Sequence, residues 1–123
     1  MVIDDCDLMR KFIELQCKKI GEVYCFEDAL TAIKSISIDF KPDLIILDLN
    51  LPNFSGFQFL ERLCNSDLLK SIPVLVLSGN TDVQSRITCL EIGASDFLAK
   101  PFHPVELSLR IKTLLKSSKM MVI

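Results

Sequence analysis

The sequence predicts a doubly wound α/β fold, an open parallel sheet with helices on both faces. Two observations and one rule of topology predict it. Short apolar runs alternate five times with longer stretches of helical period. Strands joined by helical crossovers run parallel to one another. The most apolar run, Leu44-Ile45-Ile46-Leu47, is continuous rather than alternating, as in a strand covered on both sides.

The elements follow in order. Val2-Ile3 is a stub of strand stopped by Asp4-Asp5. Leu8, Phe12 and Leu15 recur at i, i+4 and i+7 as one face of a helix, with Gly21 as its C-cap. Residues 22–26 form a second, weaker strand, and Ala29, Ala32, Ile33 and Ile36 mark the second helix. The run 44–47 is the third strand. A loop with Pro52 and Gly56 then leads to a helix carrying Phe57, Leu60 and Cys64. Residues 73–77 make the fourth strand, and Val83, Ile87 and Leu90 mark a helix closed by Gly93. Residues 97–99 are a short fifth strand. After Lys100-Pro101, Pro104 sits where a first helical turn accepts it, and Leu107, Ile111, Leu114 and Leu115 carry the fifth helix. The domain is expected to span 1–119. The apolar tail 120–123 is open between a sixth strand, the start of another domain and a frayed end.

Composition narrows the function. A length of 123 residues holds one domain with a real core. The 14 basic and 16 acidic side chains leave a net charge of −2, so there is no basic footprint for direct nucleic-acid binding. Mean hydropathy is high at +0.38, yet no apolar run approaches the ~20 residues of a spanning helix. Buried strands account for the hydropathy, and no membrane is expected as a partner. Met1-Val2-Ile3 runs straight into two aspartates, which is no secretory signal pattern. Five cysteines without a CxxC, beside one histidine, read as reduced thiols of a cytoplasmic chain.

In doubly wound sheets, ligands bind outside the carboxyl ends of the strands. The first strand presents Asp4 and Asp5 there, the third Asp48, the fourth Ser78 with Gly79, and the fifth Lys100. Three carboxylates gathered on one rim repel each other unless a cation sits among them. Hard oxygen donors without nearby His or Cys favour Mg²⁺. A metal with open positions beside a Lys and a Ser suits a phosphoryl group, and an Asp in such a site can be the nucleophile.

Asp4-Asp5, Asp48 within PDLIILDLNLPNFSG, Ser78 within PVLVLSGN, and Lys100 within GASDFLAKPF together resemble the receiver domain of two-component response regulators. Asp5 and Asp48 stand 43 residues apart, Ser78 follows after 30 more and Lys100 after another 22. The likeness covers nearly the whole chain. It implies a strand order of 2-1-3-4-5 and makes Asp48 the phosphoacceptor, loaded by a histidine kinase or a histidine phosphotransfer protein. It implies Mg²⁺ held by Asp5, Asp48 and the backbone carbonyl of Asn50, with Asp4 acting through a water. Ser78 becomes the switch hydroxyl, Phe97 the switch aromatic, and Lys100 the phosphate partner before a cis Lys100–Pro101 bond. Asn50 and Asn80 match the positions that tune hydrolysis of the aspartyl phosphate. The fourth helix, fifth strand and fifth helix become the surface for an output domain, a target protein or a second copy.

Some positions depart from the family pattern. The first strand is short; with the apolar tail, this favours a domain excised from a larger chain. Ser78 replaces the commoner Thr and keeps the hydroxyl, Gly79 replaces Ala and keeps the N–H, and Phe97 has no phenolic hydroxyl. Singly, Asp48 reads equally as a turn aspartate and Lys100 as a loop lysine. His103 reads as a cap for the last helix. Two rivals stand beside the signalling switch. One is a degenerate receiver that docks partners without phosphate. The other is a phosphatase of the haloacid-dehalogenase type, which needs a second acid where this chain has Asn50.

Overall fold

A computed structural model of the chain describes residues 1–51, 55–79 and 82–120, with side chains described as far as 117. The strands are β1 (Val2–Ile3), β2 (Cys25–Phe26), β3 (Ile45–Asp48), β4 (Val74–Ser78) and β5 (Asp96–Ala99). The helices are α1 (Asp7–Cys17), α2 (Ala29–Ser35), α3 (Gly56–Cys64), α4 (Val83–Ile92) and α5 (Pro104–Met120). All four strand pairings are parallel, in the order β2-β1-β3-β4-β5. Strand order reverses between β1 and β3, so the crevice above their carboxyl ends is the topological switch point.

The central strands divide their side chains between two cores, as the alternation of a pleated strand requires. Ile45, Leu47, Val74 and Val76 face one side with Phe59, Leu60 and Leu63 of α3, Ala29 and Ala32 of α2, and Cys89 of α4. Leu44, Ile46, Leu75 and Leu77 face the other with Ile13 of α1 and Leu107 and Ile111 of α5. Among the described residues, no helix is long and apolar enough to cross a membrane. All five cysteines are free thiols.

Four details differ from the sequence reading. The inward stripe of α1 is Met9, Ile13 and Cys17, while Leu8 and Leu15 are exposed and Phe12 lies half out against Phe102, ring centroids 6.1 Å apart. The helix carries two adjacent apolar stripes of the same period, and packing beside α5 selects the other one. Gly21 is not a cap: α1 closes at Lys18 with ordinary right-handed geometry, followed by a turn. β2 pairs over only two residues because it is an edge strand beside a two-residue β1. Similarly, Val83, Ile87 and Leu90 mark α4 but point outward, and Cys89 is the residue that α4 buries.

Gly93 closes α4 as expected, with φ of 134°. A Cβ there meets Cys64 Sγ at 2.7 Å. Gly93→Ala is therefore expected to lower stability by about 2 kcal/mol, the usual penalty for holding an L-residue in that region. Gly21→Ala is the control, since nothing lies within 4 Å of its Cβ position. It should be neutral or stabilising by roughly 0.5 kcal/mol. Urea denaturation of the two variants checks the contrast.

Candidate functional site

Every strand that reaches the switch point ends in a polar group. Asp4 follows β1 and is buried, while Asp5 beside it is exposed. Asp48 is the last residue of β3 and Ser78 the last of β4, both buried. Lys100 follows β5, and its N–H donates to the Ser78 carbonyl at 2.8 Å, which fixes it to the same rim. The Lys100–Pro101 peptide is cis. Asp4, Asp5 and Asp48 each bring a carboxylate oxygen within 4.8 Å of the others.

Each carboxylate is held differently. Asp4 accepts from the Cys6 N–H at 2.9 Å and from Lys100 Nζ at 3.3 Å. Lys100 Nζ also stands 3.5 Å from Asp48 Oδ1, so one ammonium bridges the two buried acids. The Asn50 N–H donates to Asp48 Oδ1 at 3.2 Å. Burial pushes the Asp48 carboxyl above its ordinary pKa; Lys100 pulls it down, the Asp4 charge pushes it up again, and the Asn50 N–H pulls it down. Anion repulsion thus remains in the cluster despite Lys100. The donor set is hard oxygen, and in its chemistry and closeness it fits a small divalent cation such as Mg²⁺.

The other expected site residues fall as follows. Phe97 is half-buried on β5 and lines a cavity of about 450 Å³ with Arg86, Phe102, Glu106 and Arg110. Asn50 is exposed beside the acids. Asn80 and the tail residues 121–123 lie outside the described residues. His103 does cap α5, its Nδ1 accepting from the Val105 N–H at 3.1 Å. Another cavity, about 490 Å³, lies among Ile20, Val23, Leu44 and Leu115 at the opposite end of the sheet and adjoins none of the acids.

The sequence places Gly56 only in the loop before the third helix. It opens α3 and donates its N–H to the Leu49 carbonyl at 3.1 Å. A Cβ at this position stands 2.7 Å from Leu49 Cα and 2.9 Å from the Asp48 carbonyl oxygen. The signal lay in the Ser-Gly pair: Ser55 forms a reciprocal capping box with Gln58, which places the next residue against the strand end.

Comparison with known proteins agrees with this geometry. The family model described as the response regulator receiver domain matches residues 1–112. The phosphate regulon transcriptional regulatory protein PhoB of Pseudomonas aeruginosa is 33% identical over 116 residues, which cover 94% of this chain and 51% of that protein. The chain spans about half the length of the curated relatives it matches. The signal receiver domain of a signal transduction histidine kinase from Syntrophus aciditrophicus superposes with a TM-score of 0.85 at 27% identity, over 94% of this chain and 88% of that one. The receiver domain of Francisella response regulator 1452 gives 0.84 at 27% identity, over 95% of each chain.

Proposed function

The chain belongs to the response regulator receiver family, whose members are signalling switches that work with histidine kinases, and we propose that it is a phosphoacceptor receiver loaded on Asp48. The observation that carries this reading is the cluster of Asp4, Asp5 and Asp48, with Lys100 bridging Asp4 and Asp48. Asp5, Asp48 and the Asn50 carbonyl would hold Mg²⁺, with Asp4 reaching it through a water. A divalent ion held by these residues would supply charge neutralisation for phosphoryl oxygens.

Asp48 supplies the nucleophile. Its carboxylate oxygen attacks the phosphorus of a phosphohistidine on a histidine kinase or phosphotransfer protein. The P–N bond breaks, and the imidazole leaves with the electron pair. Lys100 Nζ, already 3.5 Å from Asp48, balances the added charge. Ser78 then takes the phosphate as hydrogen-bond acceptor. Phe97 follows Ser78, a shift between two populated arrangements rather than a rigid push. Asn50 and Asn80 set how fast water removes the phosphoryl group, so the only catalysis is on the domain itself.

The output surface is α4, β5 and α5. Val83, Ile87 and Leu90 on α4 and Val105 and Leu109 on α5 leave apolar side chains in solvent beside the cavity at Phe97. Such a face suits a second copy or a target protein. The receiver unit is taken as 1–119, in the cytoplasm, and any contact with DNA belongs to an output domain of the kind the longer relatives' names imply. Intact mass after incubation with a small phosphoryl donor tests the reading. One base-labile phosphoryl adduct that forms only with Mg²⁺ is expected. No adduct on folded protein would leave the phosphate-independent docking module in its place.

A further inference from the structure

We propose that Arg10 is a positioning residue for the acidic site, fixing the peptide that joins Asp4 to Asp5 and so the direction in which Asp5 offers its carboxylate to a divalent cation. The proposal rests on the phosphoacceptor reading above. Arg10 lies in the first turn of α1, with a side chain about one-fifth exposed. Its Nη1 donates to the Asp4 carbonyl oxygen at 2.8 Å, and its Nη2 pairs with the Asp7 carboxylate. The Arg10 N–H donates to the Cys6 carbonyl at 2.9 Å, so the helix grips the turn twice.

The two neighbouring acids depend on this grip unequally. Asp4 is held independently: its N–H donates to Phe26 at 3.1 Å, and its carboxylate is engaged by Cys6 and Lys100. Asp5 is exposed, and among the described residues its carboxylate takes part in no hydrogen bond or ion pair. No contact fixes its side chain, so what the fold sets of its placement is the backbone from which it departs. The one peptide atom of the Asp4–Asp5 link that a side chain holds is the carbonyl bonded by Arg10. Without that donor the carbonyl must turn toward water to be satisfied, and the peptide rotates with it. Asp7 keeps the guanidinium in place, and the planar fork meets the two acceptors with two separate nitrogens in a fixed geometry that a flexible ammonium lacks.

Electrostatics gives the test its sign. A guanidinium bonded to the Asp4 carbonyl, at the peptide that joins two of the acids, repels any cation that enters, so acting as a charge alone it weakens metal binding. Its removal would then tighten Mg²⁺ binding. Positioning requires the opposite.

The experiment is calorimetric titration of Mg²⁺ into the wild-type chain, Arg10→Ala and Arg10→Lys, with melting temperature in EDTA recorded beside it. Arg10→Ala should weaken Mg²⁺ binding about tenfold or more, the usual loss when a partner orienting a metal ligand is removed. Arg10→Lys keeps the charge but loses the fork, and a severalfold weakening is expected. That variant carries the test if Arg10→Ala does not fold. Unchanged or tighter binding in Arg10→Lys or in folded Arg10→Ala overturns the proposal, even if the metal-free melting temperature falls. Wild-type chain that binds no Mg²⁺ overturns the phosphoacceptor reading and this inference with it.

Discussion

Asp48→Asn is expected to abolish the Mg²⁺-dependent phosphoryl adduct completely and, in EDTA, to make the protein more stable than wild type. The first effect follows from chemistry: an amide oxygen is no nucleophile toward phosphorus, and without the carboxylate's charge it holds a divalent cation less tightly. The second follows from the burial of Asp48 beside Asp4. Its carboxyl pKa is raised, so between the ordinary carboxylate range and the raised value the folded chain binds more protons than the unfolded one. Stability therefore falls as pH climbs through that window, and above it the ionised group carries the whole penalty. Asn is nearly isosteric, keeps the oxygen that accepts from the Asn50 N–H, and leaves Lys100 its ion pair with Asp4. The gain is of order 1 kcal/mol, a typical single-site effect, or about 4 °C in Tm for a domain of this size.

Mg²⁺ should reverse the order. At ten times its Kd the ion adds about 1.4 kcal/mol to the wild-type chain and much less to the variant. Intact mass and paired melting curves with EDTA and with Mg²⁺ check both halves. A variant that still takes the phosphoryl group, or that melts below wild type in EDTA, would remove Asp48 from the role assigned to it.

The route from sequence to this site was direct because the chemistry lies at strand ends. β3 and β4 are continuous apolar runs, and a polar residue where such a run stops has to sit at the rim of the sheet. That made Asp48 and Ser78 legible from the chain alone, and Lys100 followed from its place after β5. Strand order was different. Alternating strands and helices fix parallel pairing but not sequence of placement, so 2-1-3-4-5 came through the family resemblance.

What could not be read was orientation within short elements. The two apolar stripes of α1 are indistinguishable by period, and the choice between them depends on α5, which begins 87 residues after α1 ends. Asp4 and Asp5 are likewise equivalent in sequence. Only the turn after β1 makes one a buried partner of Lys100 and leaves the other exposed. Arg10 was invisible for the same reason, since its value lies in reaching back to a carbonyl six residues earlier.

Gly56→Ala should be among the most damaging single-methyl substitutions in the chain, lowering stability by about 3 kcal/mol, the upper range for forcing an extra methyl into a packed site. Its three nearest neighbours are the Leu49 Cα, the Leu49 oxygen and the Asp48 oxygen, at 2.7, 2.7 and 2.9 Å. All are backbone, so no side chain can swing aside. The start of α3 has to retreat from the end of β3, which breaks the Gly56 N–H bond to Leu49 and shifts the segment carrying Asp48 and Asn50. Mg²⁺ affinity should therefore fall along with stability. Gly79→Ala separates this clash from a general glycine effect: it too adds one methyl beside a site residue, Ser78, but nothing lies within 4 Å of the new carbon. It should change stability by less than about 0.5 kcal/mol. Urea denaturation and Mg²⁺ titration of the pair decide the matter. Equal behaviour of the two variants would mean that the β3–α3 junction yields more readily than close backbone packing permits, and that Asp48 is held by its own strand alone.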